Sequence, residues 1–392
     1  MMIKKKKIAI LGSTGSIGKT LLNIIDKDKN KFEIKLLTAN KNYLELLKQS
    51  KKFKVKHVIV TDRDCFEKLK ILNKNKNLKI YNNYDSINLI IKKKLDYTMS
   101  SIVGIEGLAP TIKIIKYTKK IAIANKESII CGWNLIKNEI KKYKTSFVPV
   151  DSEHFSIWYA LKNAKIKNIK KIFLTASGGP LLNLSKKKIK NIKIKDVISH
   201  PNWSMGKKIS IDSSTMMNKV FEIIEAKNIF NLSYDQLGIV IHPKSYVHAI
   251  INFNDGMINI VAHETTMDIP IFNSLHNDKK FFSNLNNMNI QKLNNLDFQK
   301  INKIKFPMLK ILNQIPYQIS LFETVVVSAN DELVRLYLIN KIKYNEIYPK
   351  LIKILSLKEF IKLKKVKPNS VSEIMKLDKY VRLKINTKSV YS

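Results

Sequence analysis

The chain has 392 residues, 45% of them hydrophobic, which is enough for two or three buried cores. No run of roughly 18 consecutive apolar residues occurs, so no membrane span is expected. The formal net charge of +40 is almost all lysine spread along the chain among Asn and Ile, with arginine only at Arg63, Arg335 and Arg382, so it speaks for solubility and against a specific nucleic-acid surface.

The leader MMIKKKK lacks the apolar stretch of a signal peptide. The first strand follows at once: IAIL (8–11) is a short apolar run ending in glycine. Ser16 to Asp26 carries apolar residues at helical spacing. FEIKLLTA (32–39) reads as a second strand, with a helix from about Asn42 to Gln49, and VKHVIVT (55–61) as a third strand. KNKNLKIYNN from Lys74 reads as solvated loop. LDYTMSSI (95–102), KKIAIA (119–124) and SFVPV (146–150) continue the strand series. Repeated βα units predict an α/β fold with an N-terminal doubly wound, Rossmann-like parallel sheet over 1–150.

The middle third differs. KKIFLTAS (170–177), LGIVIHP (237–243), YVHAIINF (246–253) and MINIVAH (257–263) read as strands of a mixed sheet, with Asn254-Asp255-Gly256 as a hairpin turn. A loop-rich stretch from about Lys195 to Thr215 precedes a helix over 213–226, entered through serines. Past Lys300 the pattern turns helical, clearest in ETVVVSANDELVRLYLINK. The expected division is 1–150, a central α+β segment over 151–300, and a helical segment over 301–392.

Gly12-Ser13-Thr14-Gly15-Ser16-Ile17-Gly18 joins the first strand to the first helix. Glycines there let the backbone turn sharply and approach a pyrophosphate, and the helix N-terminus offers free N–H groups. Strand before and helix after favour a nucleotide site over a plain glycine turn. The second strand ends in Thr38-Ala39-Asn40-Lys41-Asn42, with a lysine and no carboxylate. That favours NADPH, whose 2′-phosphate Lys41 can pair, over NADH, although Lys41 is also one of many lysines.

Asp151-Ser152-Glu153-His154 follows the strand SFVPV directly. Strand ends in such sheets are where ligands bind, and two carboxylates two residues apart can face one spot. The same residues would also make an ordinary helix cap. Glu222 and Glu225 lie three apart on the 213–226 helix. Carboxylates without clustered Cys or His select a hard cation, Mg²⁺ or Mn²⁺. Cys65 and Cys131 form no CxxC pair, which argues against a disulfide framework or structural zinc. A reducing, bacterial-cytoplasmic setting is expected, and a plastid-type organelle stays open.

Taken in order, ILGSTGSIGK (10–19), ANKESI (124–129), PVDSEH (149–154), TASGGP (175–180), HPNWSMGKKIS (200–210), IDSSTMMNK (211–219) and IHPKS (241–245) resemble the 1-deoxy-D-xylulose 5-phosphate reductoisomerase family over nearly the full length. The resemblance implies an NADPH-dependent rearrangement and reduction of that sugar phosphate to 2-C-methyl-D-erythritol 4-phosphate, a step of isoprenoid precursor synthesis, and a homodimer. It implies that Thr14, Gly15, Ser16 and Ile17 hold the cofactor pyrophosphate. Asn40, Lys41 and Asn42 lie at its adenosine end, and Asn125, Glu127 and Gly206 complete its site. Asp151, Glu153 and Glu222 become metal ligands. Lys126 and Ser152 bind substrate near the metal; Ser177, His200, Ser213, Asn218 and Lys219 hold its phosphate end. Trp203 lies on a flap, 199–210. Members commonly carry glycine where Asn40 and Val220 stand here. An aspartate-semialdehyde-type dehydrogenase also uses a GxxGxxG turn, but it needs a nucleophilic cysteine, and Cys131 lacks a supporting motif.

Overall fold

The computed structural model describes residues 5–387 apart from 165, 186–187, 190–191, 200–202, 204–205 and 277–289. Among these residues the chain divides into two compact units. One takes in 5–128, 135–155 and 267–276; the other takes in 129–134, 156–266 and 290–387.

The first unit is built on seven strands: β1 (Lys6–Leu11), β2 (Phe32–Ala39), β3 (His57–Val60), β4 (Lys79–Tyr81), β5 (Tyr97–Ser100), β6 (Lys120–Ile123) and β7 (Ser146–Pro149). They pair in the order β4-β3-β2-β1-β5-β6-β7, and every pairing is parallel. This is the doubly wound sheet that the βα alternation predicts. The apolar run Ile8–Leu11 has no exposed surface because β1 lies at the centre of the sheet, flanked by β2 and β5. The strand order turns back on either side of β1, so its carboxyl end is the switch point where such sheets bind ligands.

Two local differences from the sequence reading have simple causes. The segment read as solvated loop contains β4, which has an exposed or half-buried pattern and forms by edge pairing, Val58 with Ile80 and Ile59 with Tyr81. The Asp268–Leu275 helix returns from far along the chain to the first unit's core. There Ile271 and Leu275 are buried, and the Tyr97 hydroxyl and Ser274 Oγ lie 2.7 Å apart.

The second unit holds a mixed sheet: β8 (Ile169–Ala176), β9 (Leu237–Ile241), β10 (Val247–Phe253) and β11 (Ile258–Ala262), in the order β11-β10-β8-β9. β8 runs parallel to β9; β10 is antiparallel to both β8 and β11. The expected turn closes β10 on β11, with Gly256 at φ 88°. The Met217–Phe230 helix buries Ile223, Ala226 and Phe230 against this sheet's core. The stretch read as loop-rich contains the Lys207–Thr215 helix, and the following helix is entered at Met216 rather than through serines. Met216 sits at φ 67°, a left-handed break that polar and apolar spacing cannot announce.

The Leu321–Leu338 helix begins with a capping box in which the Ser320 and Glu323 side chains satisfy each other's backbone N–H groups. Glu323 has no exposed surface. Burial pushes its carboxyl up to about 7, against the opposing pull of Ser320 and Lys227. A carboxyl raised in the folded state contributes stability that is present below its unfolded value and is lost as pH rises through about 7. Glu323→Gln keeps an acceptor for Ser320 and removes that titration. Its unfolding free energy, followed by urea melts from pH 5 to 8, should therefore lose less with rising pH than the parent's, the gap reaching roughly 1–3 kcal/mol at pH 8.

Candidate functional site

At the end of β1 the backbone turns through Gly12 at φ 81°, where a Cβ would stand 2.8 Å from the Ser101 carbonyl oxygen. A Cβ on Gly18 would stand 2.5 Å from Ser13 Cα, so glycine there lets the Ser16–Asp26 helix start hard against the turn. The loop is pinned from behind. Gly12 N–H donates to Thr38 Oγ1 at 3.0 Å, Ser13 N–H to the Thr38 carbonyl at 2.9 Å, and Ser13 Oγ to Gln49 Oε1 at 2.8 Å. Gly15 caps the helix with no side-chain bond, and Gly15 and Ser16 are exposed while Thr14 and Ile17 are half-buried. The first N–H groups of the helix are thus left for an anion.

Beyond β2, Asn40, Lys41 and Asn42 are all exposed. Asn42 caps the Tyr43–Lys52 helix by accepting from Glu45 N–H at 3.3 Å. Asn40 donates to Thr61 Oγ1 at 2.8 Å and is not among the residues with positive φ. The glycine usual at this position in the family is therefore replaced without left-handed strain. Val220 is fully buried inside the Met217–Phe230 helix.

After β6, Asn125 caps the Lys126–Tyr143 helix. Its Oδ1 accepts from Ser128 N–H at 2.6 Å, and its Nδ2 donates to the Gly104 carbonyl at 2.7 Å and to that of Ile102. This fixes Lys126 and Glu127 in the first turn, both buried. The helix is interrupted at Gly132, which has non-helical angles.

After β7, Asp151 accepts from the Lys126 ammonium at 3.1 Å and lies 3.1 Å from His154 Nδ1. His154 is wholly buried and acts as a support for the carboxylate, a role its position in the sequence only hints at. Asp151 Oδ1 also takes the Glu153 N–H at 3.3 Å, so the capping function and the acidic cluster coexist. Ser152 Oγ donates to Glu153 Oε2. Asp151, Ser152, Glu153 and Lys126 thus gather in the first unit.

The second unit gathers another set. Glu222 is 1% exposed and accepts from Asn218 Nδ2 and from the Lys219 ammonium, each at 2.5 Å. All three sit within the first two turns of the Met217–Phe230 helix, just past the Met216 break. Ser213 lies in the last turn of the preceding helix. The Gly178-Gly179 turn, both residues at positive φ, runs so close to it that a Cβ on Gly179 would stand 3.1 Å from the Ser213 carbonyl oxygen and 3.0 Å from Ser214 Cα. Ser177 Oγ accepts from Gly179 N–H at 3.0 Å. The turn that carries Ser177 therefore lies against Ser213. Gly206 caps the Lys207–Thr215 helix and is exposed. Trp203 meets His248 edge-on at 6.2 Å between centroids, and His248 stacks on His263 at 3.8 Å, a pairing that no sequence signal marks. His200 lies outside the described residues.

Family models of the 1-deoxy-D-xylulose 5-phosphate reductoisomerase and of its C-terminal domains match residues 8–132, 147–230 and 263–384. The reductoisomerase of Pelagibacter ubique is 60% identical over 395 residues, covering 98% of this chain and all of that protein. The chain belongs to the 1-deoxy-D-xylulose 5-phosphate reductoisomerase family. It is accordingly an NADP-dependent oxidoreductase. A solved reductoisomerase in complex with NADPH, fosmidomycin and magnesium shares its fold at TM-score 0.90 and 31% identity, covering 98% of each chain. The Zymomonas mobilis enzyme in complex with NADPH matches at TM-score 0.86 and 27% identity, over 97% of this chain and 98% of that one.

Asn125→Ala removes a buried cap bond and two part-buried donor bonds at once. Its stability in urea should fall by about 1–2 kcal/mol, with the first turn of the Lys126–Tyr143 helix losing hydrogen-exchange protection.

Proposed function

We propose that Asp151, Glu153 and Glu222 share one divalent cation, Mg²⁺ or Mn²⁺, in a site where NADPH reduces the rearranged sugar phosphate. The reaction is the family's: 1-deoxy-D-xylulose 5-phosphate is converted to 2-C-methyl-D-erythritol 4-phosphate. The observation that carries the reading is the pair of carboxylates at the carboxyl end of β7, set beside the Lys126 ammonium. The donors are all oxygen, which suits a hard cation. The relative solved with NADPH, fosmidomycin and magnesium supports both cofactors.

When bound, the metal supplies Lewis acidity toward the substrate's carbonyl and hydroxyl oxygens, and NADPH supplies the hydride. The chain's own groups do the rest. Thr14, Gly15, Ser16 and Ile17 bind the pyrophosphate at a helix start left free of side-chain caps. Asn40, Lys41 and Asn42 take the adenosine end, where Lys41 supplies positive charge for a 2′-phosphate; Asn125, Glu127 and Gly206 complete that site. Lys126 and Ser152 orient the reacting end of the substrate, and Lys126 stabilises negative charge developing on its oxygens. Ser177, His200, Ser213, Asn218 and Lys219 hold the phosphate end. Trp203 covers the substrate and keeps water from the reacting carbons. The flap 199–210 and the division at 150 and 300 belong to this reading.

The working form is proposed to be a homodimer. β11 is an edge strand, and Ile258 and Ile260 along it, with Met257 just before it, expose 57%, 49% and 67% of their surface. Edges of this kind pair with a second chain. The proposed setting is the cytoplasm, consistent with free cysteines at Cys65 and Cys131. Among the described residues no helix is long and apolar enough to cross a membrane.

Glu153→Gln should lower turnover, read as NADPH oxidation in the presence of the deoxyxylulose phosphate, by on the order of 10²-fold or more. Its NADPH affinity, read by nicotinamide fluorescence, should stay within about twofold, since no cofactor contact is removed. EDTA should abolish turnover in the parent, and added Mg²⁺ or Mn²⁺ should restore it. Full activity after exhaustive chelation contradicts the reading.

A further inference from the structure

Asp212 sits beside Ser213 in the IDSSTMMNK segment and has no part in the reading above. It is 2% exposed, and a carboxylate drawn that far out of water needs compensating donors. Two reach it from different elements. The Lys208 ammonium, one turn earlier on the same helix, lies 2.9 Å from Oδ2, and Asn330 Nδ2 donates to Oδ1 at 2.8 Å. Asn330 is itself fully buried on the Leu321–Leu338 helix.

The contacts continue outward. Lys208 also reaches Asp331 at 2.8 Å and stands over the Phe221 ring at 5.2 Å. Asp331 lies 3.6 Å from Arg382 on the Val371–Asn386 helix, and Arg382 Nε donates to Asp378 at 2.8 Å. A continuous line of charge therefore runs from the C-terminal helix to the residue next to Ser213. With donors arriving along two directions, the Asp212 carboxylate is held in one orientation. The Lys207–Thr215 helix cannot turn about its axis without breaking the Asn330–Asp212 hydrogen bond and the Lys208–Asp331 ion pair.

We propose that Asp212, held between Lys208 and Asn330, is a positioning residue that sets Ser213 and the corner after it for the phosphate end of the substrate. This rests on the phosphate role given above to Ser213, Asn218 and Lys219. It gives the C-terminal helices a task in catalysis: they fix the direction from which Ser213 meets the substrate, and misplacement at this range is felt in binding.

The test is a double-mutant cycle on the full-length enzyme with Mg²⁺ and NADPH, using Lys208→Met and Ser213→Ala. Lys208→Met should raise the KM for the sugar phosphate about tenfold while kcat and the KM for NADPH stay within about twofold. Lys208→Arg, which keeps the charge, should recover most of the loss. Ser213→Ala should raise KM alone yet add little on top of Lys208→Met, because the two act through one contact. Additive losses, or a Lys208→Met that lowers only the melting temperature, overturn the positioning role. An unchanged KM in Ser213→Ala alone instead defeats the phosphate reading beneath it. Asn330→Ala leaves the Lys208–Asp212 pair in place. It should show the same coupling at smaller amplitude, and its absence there also overturns the proposal.

Discussion

A carboxylate drawn out of water needs positive charge or donors beside it, and the acidic residues of each unit are arranged around that constraint. Asp151 has the Lys126 ammonium at 3.1 Å and the buried His154 ring on its other side. Glu222, with 1% of its surface exposed, has Lys219 and Asn218. Each carboxylate is held by a donor from its own surroundings, so the side chains are oriented before any ion arrives. Within each unit the lysine beside the carboxylate offsets its negative charge.

The parallel sheet decides where this charge can be used. Its switch point at β1 puts the glycine turn and a free helix start at one edge, and Asn125-Lys126 and Asp151 follow β6 and β7 at the same carboxyl edge. The glycines that matter are those whose Cβ would strike backbone: Gly12 against Ser101 and Gly18 against Ser13. In the second unit Gly179 plays the same part against Ser213 and Ser214. In both turns the missing Cβ lets backbone segments approach more closely than any other residue would allow.

Much of this was legible because it is local. The buried run IAIL, the alternation of βα units and the glycine turn each express a short-range rule, and all seven sheet strands except β4 carry it. β4 is three residues in a Lys- and Asn-rich stretch, and it exists through pairing with β3. The return of Ile271 and Leu275 to the first core depends on partners more than a hundred residues away. Met216 in a left-handed conformation breaks two helices where periodicity runs on. Asp151 and Glu153 were legible as a pair because two residues at a strand end face one place. His154 was legible only as a neighbour of that pair, and Asp212 was not, because its part is set by burial and by partners that sequence spacing does not reveal.

Diffraction from crystals grown with Mn²⁺, recorded at the manganese absorption edge, tests the shared-cation arrangement most directly. The account predicts one anomalous peak with oxygens of Asp151, Glu153 and Glu222 about 2.0–2.3 Å away. A peak bound elsewhere, or one that leaves Glu222 paired only with Lys219, would contradict it.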